Sequence, residues 1–359
     1  MKKFTVAVPA LLTVLKKMNG VVIKNPLLTA LKSVRIQVKE SSLVITASDL
    51  IVTLKAELEI ENLGKSGYEY LVPFKYLHDV WSLISDEKVT IELLSKTMAQ
   101  ITTADDTYKM SCFDTKDWPD EPEFLPRNAV GVSSDFIDAL DTALDTTGTD
   151  SMRPVLQKVL VSIEPGKLTI ASTNAYILYE RCFQAEVVSG TDLLIQEKII
   201  QLAKGFKETS ISWSSTHLSF VSNNYILIGT LQDEKYPDYK AIIPPPCAPN
   251  LIVSAAELKL AMQKISLTEL EATLHLKKEA GYIVCESKDS DRESVVKIAA
   301  DYTGDCEKVV VQPAFFTTLL GQIKYTTVSI AIIAANQGIV MTAEADDTYR
   351  SMLMPQVTK

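Results

Sequence analysis

Along most of this chain apolar and polar residues alternate one by one, and at six short stretches the period lengthens to that of a helix. Alternation suits strands whose two faces differ, whereas the longer period suits helices with one buried stripe. Lys3 to Val8 predicts a strand, and Pro9 to Met18 predicts a helix with Leu11, Leu12 and Leu15 on one face. Beyond a loop from Gly20 to Pro26, strands are expected at Ser33 to Lys39, Ser42 to Ser48, Ile51 to Glu59 and Tyr68 to Val72. A second helix, Pro73 to Ile84, has its proline in the first turn, where no backbone N–H is needed. Strands Val89 to Leu94, Met98 to Thr103 and Thr107 to Phe113 follow. Later helices are expected at Ser134 to Asp145, Gln196 to Phe206, Ala255 to Ile265 and Pro313 to Ile323, with a closing strand at Arg350 to Met354. Eight strands and two helices recurring with short connections predict an α+β fold: antiparallel sheets covered by helices on one face.

The pattern repeats. Ala104-Asp105-Asp106-Thr107-Tyr108 returns letter for letter as Ala345-Asp346-Asp347-Thr348-Tyr349, and Asn224-Tyr225 occupies a like position between them. Ser42 to Asp49 reads like Lys167 to Asn174 and, more loosely, like Tyr282 to Asp289. The helix starts Val72-Pro73-Phe74-Lys75, Ile195-Gln196-Glu197-Lys198 and Val311-Gln312-Pro313-Ala314 keep the same order, and Trp118-Pro119-Asp120 matches Tyr236-Pro237-Asp238. Unequal offsets are what loop-length changes do to one ancestral unit, so a module of about 120 residues used three times is expected. The expected modules are residues 1–126, 127–246 and 247–359, joined by proline-bearing linkers at Asp117 to Asn128 and Pro244 to Pro246.

Composition narrows the class. Of 359 residues 47% are hydrophobic, with 13 Gly and 15 Pro, which points to globular modules each able to bury a core. Cys112, Cys182, Cys247, Cys285 and Cys306 form no C-x-x-C pair, and reduced thiols in a cytoplasmic protein are expected. The basic start followed by Phe4 to Leu15 imitates a secretory signal. Pro9 interrupts that run, however, and its strand-then-helix pattern recurs at Val130 to Leu144 and Leu251 to Ile265, so it reads as structure. No apolar run is long enough for a membrane span.

The formal net charge is −9, from 36 basic and 45 acidic residues, which taken evenly disfavours a nucleic-acid partner. The expected helices nevertheless carry Lys16, Lys17, Lys75, Lys198, Lys204, Lys207, Lys259, Lys264 and Lys324. Against them stand Asp79, Asp135, Asp138, Asp141, Asp145, Glu197 and Glu257, four of these on the third helix. Two readings follow: ordinary solvated faces, or a basic surface for sequence-independent phosphate contacts. Catalytic groups are sparse. His78, His217 and His275 are scattered, and no phosphate-binding glycine loop or nucleophile motif occurs, so neither a catalytic set, a cofactor nor a metal site is expected. Asp105-Asp106 and Asp346-Asp347 are the one repeated acidic feature; they turn hairpins or, alternatively, serve a metal-dependent hydrolase. A non-DNA repeat scaffold is a third reading.

Three modules of this kind, with lysine-bearing helices and no catalytic set, resemble the bacterial β sliding clamps, the processivity subunit of DNA polymerase III. Met152-Arg153-Pro154-Val155-Leu156 followed by Leu168 to Ser172 is similar to that family's second-module opening. Tyr236-Pro237-Asp238-Tyr239-Lys240 resembles its F-P-D-Y-[RK] signature, and Met352-Leu353-Met354-Pro355 its closing V-M-P run. The resemblance implies a head-to-tail homodimeric ring, non-enzymatic, that encircles duplex DNA during replication. It also implies that DNA polymerase and clamp-loader subunits dock through short Leu/Phe peptide motifs. By position, the peptide groove would comprise Leu156, Ser172, Asn174, Ala175, Tyr176, Ile177, Pro237, Ala241, Ile242, Asn336, Gly338, Met352, Leu353, Met354 and Pro355. Lys24, Lys75, Arg153 and Lys198 would face DNA, while Tyr108 and Met110 would meet Leu267 at the dimer interface. The chain departs from the family at Thr173-Asn174-Ala175-Tyr176-Ile177, where D-G-H-[RK]-L is usual, and at Ala241, Pro154-Val155 and Thr268.

Overall fold

A computed structural model describes residues 1–122, 128–188, 190–245, 248–268, 271–343 and 346–356. Pro246, Cys247 and Ala345, and part of the first expected linker, lie outside the described residues. The six helices found among the described residues are α1 (Val8–Met18), α2 (Phe74–Trp81), α3 (Ser134–Ala143), α4 (Glu197–Ala203), α5 (Ala255–Ile265) and α6 (Pro313–Gln322). The strands form three sheets with antiparallel pairings, as the alternation requires. In spatial order the first runs Glu61–Asn62, Lys3–Ala7, Lys88–Ser95, Met98–Thr102, Thr107–Ser111. The second runs Asn128–Val132, Thr209–Trp213, His217–Ser222, Tyr225–Thr230, Val52–Glu59, Ser42–Ser48, Ser33–Val38, Tyr68–Pro73. The third begins Thr191–Gln196, Lys158–Glu164, Lys167–Thr173, Ile177–Gln184, Asp346–Leu353, Ile339–Ala343, Thr327–Ala331. It continues through Leu251–Ser254, Glu293–Tyr302, Tyr282–Lys288, Ala272–Leu276 and Lys308–Val311.

The chain gathers into two compact units. Met1–Ile137 with Lys198–Gln232 forms one, and Asp138–Glu197 with Asp233–Lys359 the other, so residues 127–246 contribute to both. Each unit holds one strand pair that crosses the expected repeat boundaries, and the two pairs share a register. Tyr225 faces Ala56 and Gly229 faces Val52 in one unit; Tyr349 faces Arg181 and Leu353 faces Ile177 in the other. The hairpins that carry Ala56 and Arg181 also coincide with each other and with a third, Ile45 lying opposite Ala56, Ile170 opposite Arg181 and Cys285 opposite Val296.

Local chemistry explains this repetition. The Asp49 Oδ1 accepts the amides of Ile51 and Val52 (2.9 and 2.6 Å), and the Asn174 Oδ1 accepts those of Tyr176 and Ile177 (both 2.9 Å). The intervening residue is left-handed in both hairpins: Leu50 at φ 76° and Ala175 at φ 76°. Such side-chain turns fix the hairpin and so fix which face each later residue presents. In the first unit α1 packs on α2, and the buried Trp81 Nε1 donates to the Val8 carbonyl at 3.0 Å. In the second, α5 packs on α6 over a core that includes Leu258, Met262, Phe316 and Leu319. The Ser254 hydroxyl caps α5 by accepting the Glu257 amide.

Four of the six helices, α2, α3, α4 and α6, are shorter than the sequence predicts, and the observed ends alter the charge tally. Lys204, Lys207 and Lys324 fall beyond the C-termini of α4 and α6, and Asp145 falls in the turn after α3. The helices themselves then carry six lysines against six carboxylates, so the basic excess expected of them is corrected to parity. Cations just past a helix C-terminus meet its partial negative charge, which is one reason lysines sit there.

Leu50 and Ala175 are exposed, so replacing either with glycine removes a left-handed penalty without opening a cavity. Leu50→Gly and Ala175→Gly are each expected to raise unfolding free energy by roughly 0.5–1 kcal/mol in urea melts. Loss of stability in both would contradict this account of the hairpins.

Candidate functional site

Strand period two sorts the expected groove residues. Within the second unit, Leu178 lies opposite Met352, and both turn into a small apolar cluster with Leu156, Leu160, Leu194, Tyr236 and Tyr239. Half-buried Val155, Ile243, Val340 and Met354 pack against that cluster. Ile177 and Leu353, one residue along each strand, point the other way into the main core with Leu251 and Val253. These two expected groove residues are therefore core, for the plain reason that successive strand side chains alternate.

The remaining expected residues frame the groove rather than line it. Buried Ser172 donates to the Ala143 carbonyl at 2.7 Å and contacts the Thr146 hydroxyl, tying the strand to the end of α3. The Asn174 side chain is consumed by its own turn. Tyr176 is 60% exposed and stacks on Phe315 at 5.4 Å between ring centroids, while its carbonyl accepts the Met354 amide at 2.8 Å. Pro237, Ala241 and Ile242 are exposed around the short 3-10 turn Tyr239–Ile242. Asn336 is exposed and Pro355 buried. At Gly338 a Cβ would stand 2.7 Å from the Met352 sulfur, so the missing side chain leaves room for Met352.

Sequence position missed Leu160, Leu178, Leu194, Tyr236, Tyr239, Ile243 and Val340. Alternation along Lys158–Glu164 and Ile177–Gln184 was the available signal for Leu160 and Leu178. The Tyr236 hydroxyl accepts the Thr173 amide at 3.1 Å, and burial pushes its pKa up to about 12. Burial, then the neighbouring Glu180, pushes Tyr239 up further. Both phenols stay neutral near pH 7, and that of Tyr236 holds the Thr173 amide. At the surface, Lys240 bonds Glu164 at 3.1 Å and holds its carboxyl below the ordinary range.

The expected DNA-side cations differ in availability. Lys24 and Lys75 are exposed, and exposed Arg153 lies 4.0 Å from Asp150. Lys198 instead bonds the Asp49 carboxylate, which is only 7% exposed. Lys17, unremarked among the expected DNA residues, donates to the carbonyls of Leu202 and Lys204 (2.8 and 3.0 Å) at the end of α4, over the Phe206 ring. Burial lowers its pKa. Lys16, Lys17 and Lys198 line a cleft of about 530 Å³, of which Lys16 is exposed and without a bonded partner among the described residues.

At the expected dimer contacts, Leu267 is 76% exposed, but Met110 is 4% exposed and belongs to the first unit's interior. The Tyr108 hydroxyl donates to Asp106 at 3.3 Å. Val295 at 59% and Tyr76 at 44% exposure were not among the expected contacts. The acidic pairs are locally engaged: the Thr103 hydroxyl accepts the Asp106 amide at 2.8 Å, and Asp346 meets Arg181 at 3.2 Å. No group of three or more His, Cys, Asp or Glu gathers among the described residues, so the hydrolase alternative has no geometric support.

Comparison with known proteins agrees in one direction. Residues 2–122 match the N-terminal domain of the DNA polymerase III beta subunit family, and residues 240–357 its C-terminal domain. The beta sliding clamp of Chlamydia pneumoniae is 24% identical over 94% of this chain and 95% of its own. That of Vibrio cholerae is 19% identical over 98% and 99%. The DNA polymerase sliding clamp of Bacillus subtilis superposes over 100% of both chains with a TM-score of 0.91 at 18% identity. A Pseudomonas aeruginosa sliding clamp bound to griselimycin gives 0.92 at 18% identity, over 99% of this chain and 100% of its own.

Lys198→Met leaves Asp49 nearly buried and without its cation. We expect a loss of roughly 1–3 kcal/mol in thermal or urea unfolding. Lys75→Met, on an exposed helix face, should leave the melt unchanged. Equal effects would show that Lys198 is not structural.

Proposed function

The chain belongs to the DNA polymerase III beta subunit family, the bacterial sliding clamps, and from that premise we propose a ring of two copies closed around duplex DNA. Its function is that of a DNA sliding clamp, a non-catalytic processivity factor in DNA replication. In the proposed assembly each copy contributes three modules, 1–126, 127–246 and 247–359, joined head to tail.

One observation carries the ring. Two strand pairs already join successive repeats in a shared register, and a third set of edges is left over. Thr107–Ser111 ends its sheet with a free edge, and the N-terminal half of Glu293–Tyr302 lies beyond the stretch paired with Leu251–Ser254. Carried over by repeat position, that register sets Tyr108 opposite Val296 of the partner subunit and Lys109 opposite Val295 of the partner subunit. Exposed Leu267 and Tyr76 would be covered by the same contact. A heterologous contact of this kind closes when the rotation it imposes suits a ring.

Retention on DNA is then topological, and strong phosphate binding is not needed. Parity of charge on the helices and a net charge of −9 suit a wall over which a duplex slides, since each neutralised phosphate would add salt-dependent adhesion. Lys16, Lys24, Lys75 and Arg153 supply mild contacts. The apolar groove flanked by Val155, Ile243, Val340 and Met354 would take the Leu/Phe peptide motifs of polymerase and clamp-loader subunits. Among the described residues no helix is long and apolar enough to cross a membrane, and we assign its work to the cytoplasm.

Sedimentation should give twice the 39.6 kDa chain mass, and clamp loaded on a closed circular plasmid should be lost when the plasmid is linearised. Val295→Asp, at a side chain exposed within the chain, should weaken the dimer at least tenfold without moving the monomer's melt. Persistence on open-ended linear DNA, or an unaffected dimer in that variant, would remove the proposed closure.

A further inference from the structure

We propose that the first repeat carries a second, smaller peptide-docking groove, fitted to a partner segment with one bulky aliphatic side chain beside a Lys or Arg. The strand registers locate it. Leu71 pairs with Arg35 where Leu194 pairs with Leu160, and the turns Thr29–Lys32 and Pro154–Gln157 enter those paired strands alike. By these registers, and for Trp118 by the Pro-Asp that follows it as it follows Tyr236, Leu31, Leu71, Trp118 and half-buried Ala30 hold the places of Leu156, Leu194, Tyr236 and Val155. All four apolar positions are kept. Beyond them the first repeat departs: Arg35, Thr53 and Glu121 stand where the later groove has Leu160, Leu178 and Tyr239. Arg35 there bonds Glu69 at 2.6 Å and Glu121 at 3.1 Å, so the second half of the groove is filled by ion pairs. Space remains for one apolar anchor, not two.

That space is open. A cavity of about 690 Å³ is walled by Leu27, Leu28 and Phe113, and Leu27 is 99% exposed. Phe113 and Leu71 exchange both backbone hydrogen bonds at 2.9 Å, which makes the wall firm before any ligand arrives. The charge around it selects the occupant. Lys32, Asp114 and Asp117 line the cavity; Asp114 already meets the Lys116 ammonium at 3.7 Å, whereas Asp117 makes no ion pair among the described residues and is the carboxylate left for a ligand's cation. An aliphatic side chain would enter the cavity against Leu27, Leu28 and Phe113, and a neighbouring cation would meet Asp117.

The inference borrows repeat position from the peptide-groove reading but stands or falls separately. The probe is a fluorescein-labelled hexapeptide, Gly-Ser-Arg-Leu-Ser-Gly, titrated into the full chain by fluorescence anisotropy. Leu27→Glu should weaken it at least tenfold, Asp117→Lys at least threefold, and Met354→Glu in the later groove should leave it unchanged. Replacing the probe's Arg by Glu should mimic Asp117→Lys. Leu27 is solvent-exposed, so its variant should melt like the parent, and a matched melt secures the comparison. Binding lost with Met354→Glu but kept with Leu27→Glu places the peptide in the later groove and overturns this proposal alone. Absence of binding by the parent chain overturns it as well.

Discussion

Backbone pairing between strands of different repeats is the constraint on which the rest of this structure depends. Antiparallel pairs exchange hydrogen bonds in a fixed alternation, so one pair of opposed residues sets the facing of every neighbour. Tyr225 opposite Ala56 and Tyr349 opposite Arg181 are such pairs. Once they are set, Leu178 and Met352 must share one face, and Ile177 and Leu353 the other. A slip of one residue would send Met352 into the core and empty the groove. The hairpin turns at Asp49 and Asn174 guard against that slip, because each spends a side-chain oxygen on two backbone amides and leaves its neighbour in the left-handed region.

The same constraint explains why equivalent places in the repeats can differ in chemistry while keeping shape. Leu160 and Arg35 occupy matched positions, yet one joins an apolar cluster and the other an ion-pair network with Glu69 and Glu121. Backbone bonds do not depend on side-chain identity, so the scaffold survives the exchange. What changes is the ligand each face can accept. Lys198 and Asp49 make the point in another way. Their ion pair uses a lysine that position alone would give to DNA, and Lys17 is similarly held by carbonyls at and just past the end of α4. Cations at the edge of a cleft are free for a polyanion only where no carboxylate or carbonyl has claimed them.

How much of this was legible beforehand follows from which physical signal each feature leaves in one dimension. Strand alternation is local, so Ser42–Ser48 and the span of α5 agree with the sequence reading residue for residue. Helix ends are set by capping and by what the chain meets next, which is why Lys204, Lys207 and Lys324 were assigned to helices they do not enter. The groove was half legible. Leu156, Met352 and Met354 follow from motif position, whereas Leu194 reaches the same cluster through its strand pairing with Leu160, and Tyr236 from outside the strands by accepting the Thr173 amide. Exposure was least legible: Met110 looks like a surface residue by family position and is buried, while Val295 looks like an ordinary strand residue and is bare.

A chain that must present open strand edges faces a cost that closed sheets avoid, since a bare edge pairs with any passing strand. Proline or a bulge would protect the edge but would also prevent the contact proposed for it. The strand Glu293–Tyr302 uses charge instead. Glu293 precedes the exposed Val295 and meets Lys288 at 3.3 Å, while Lys297 follows it and lies over the Tyr282 ring at 3.4 Å. Lys109, exposed on the other free edge, does the same for Thr107–Ser111. Charges of this kind deter flat, apolar strands yet leave every N–H and C=O available. An edge guarded only by side chains stays selective for a partner whose own side chains fit, and in the proposed ring that partner is a second copy of the chain.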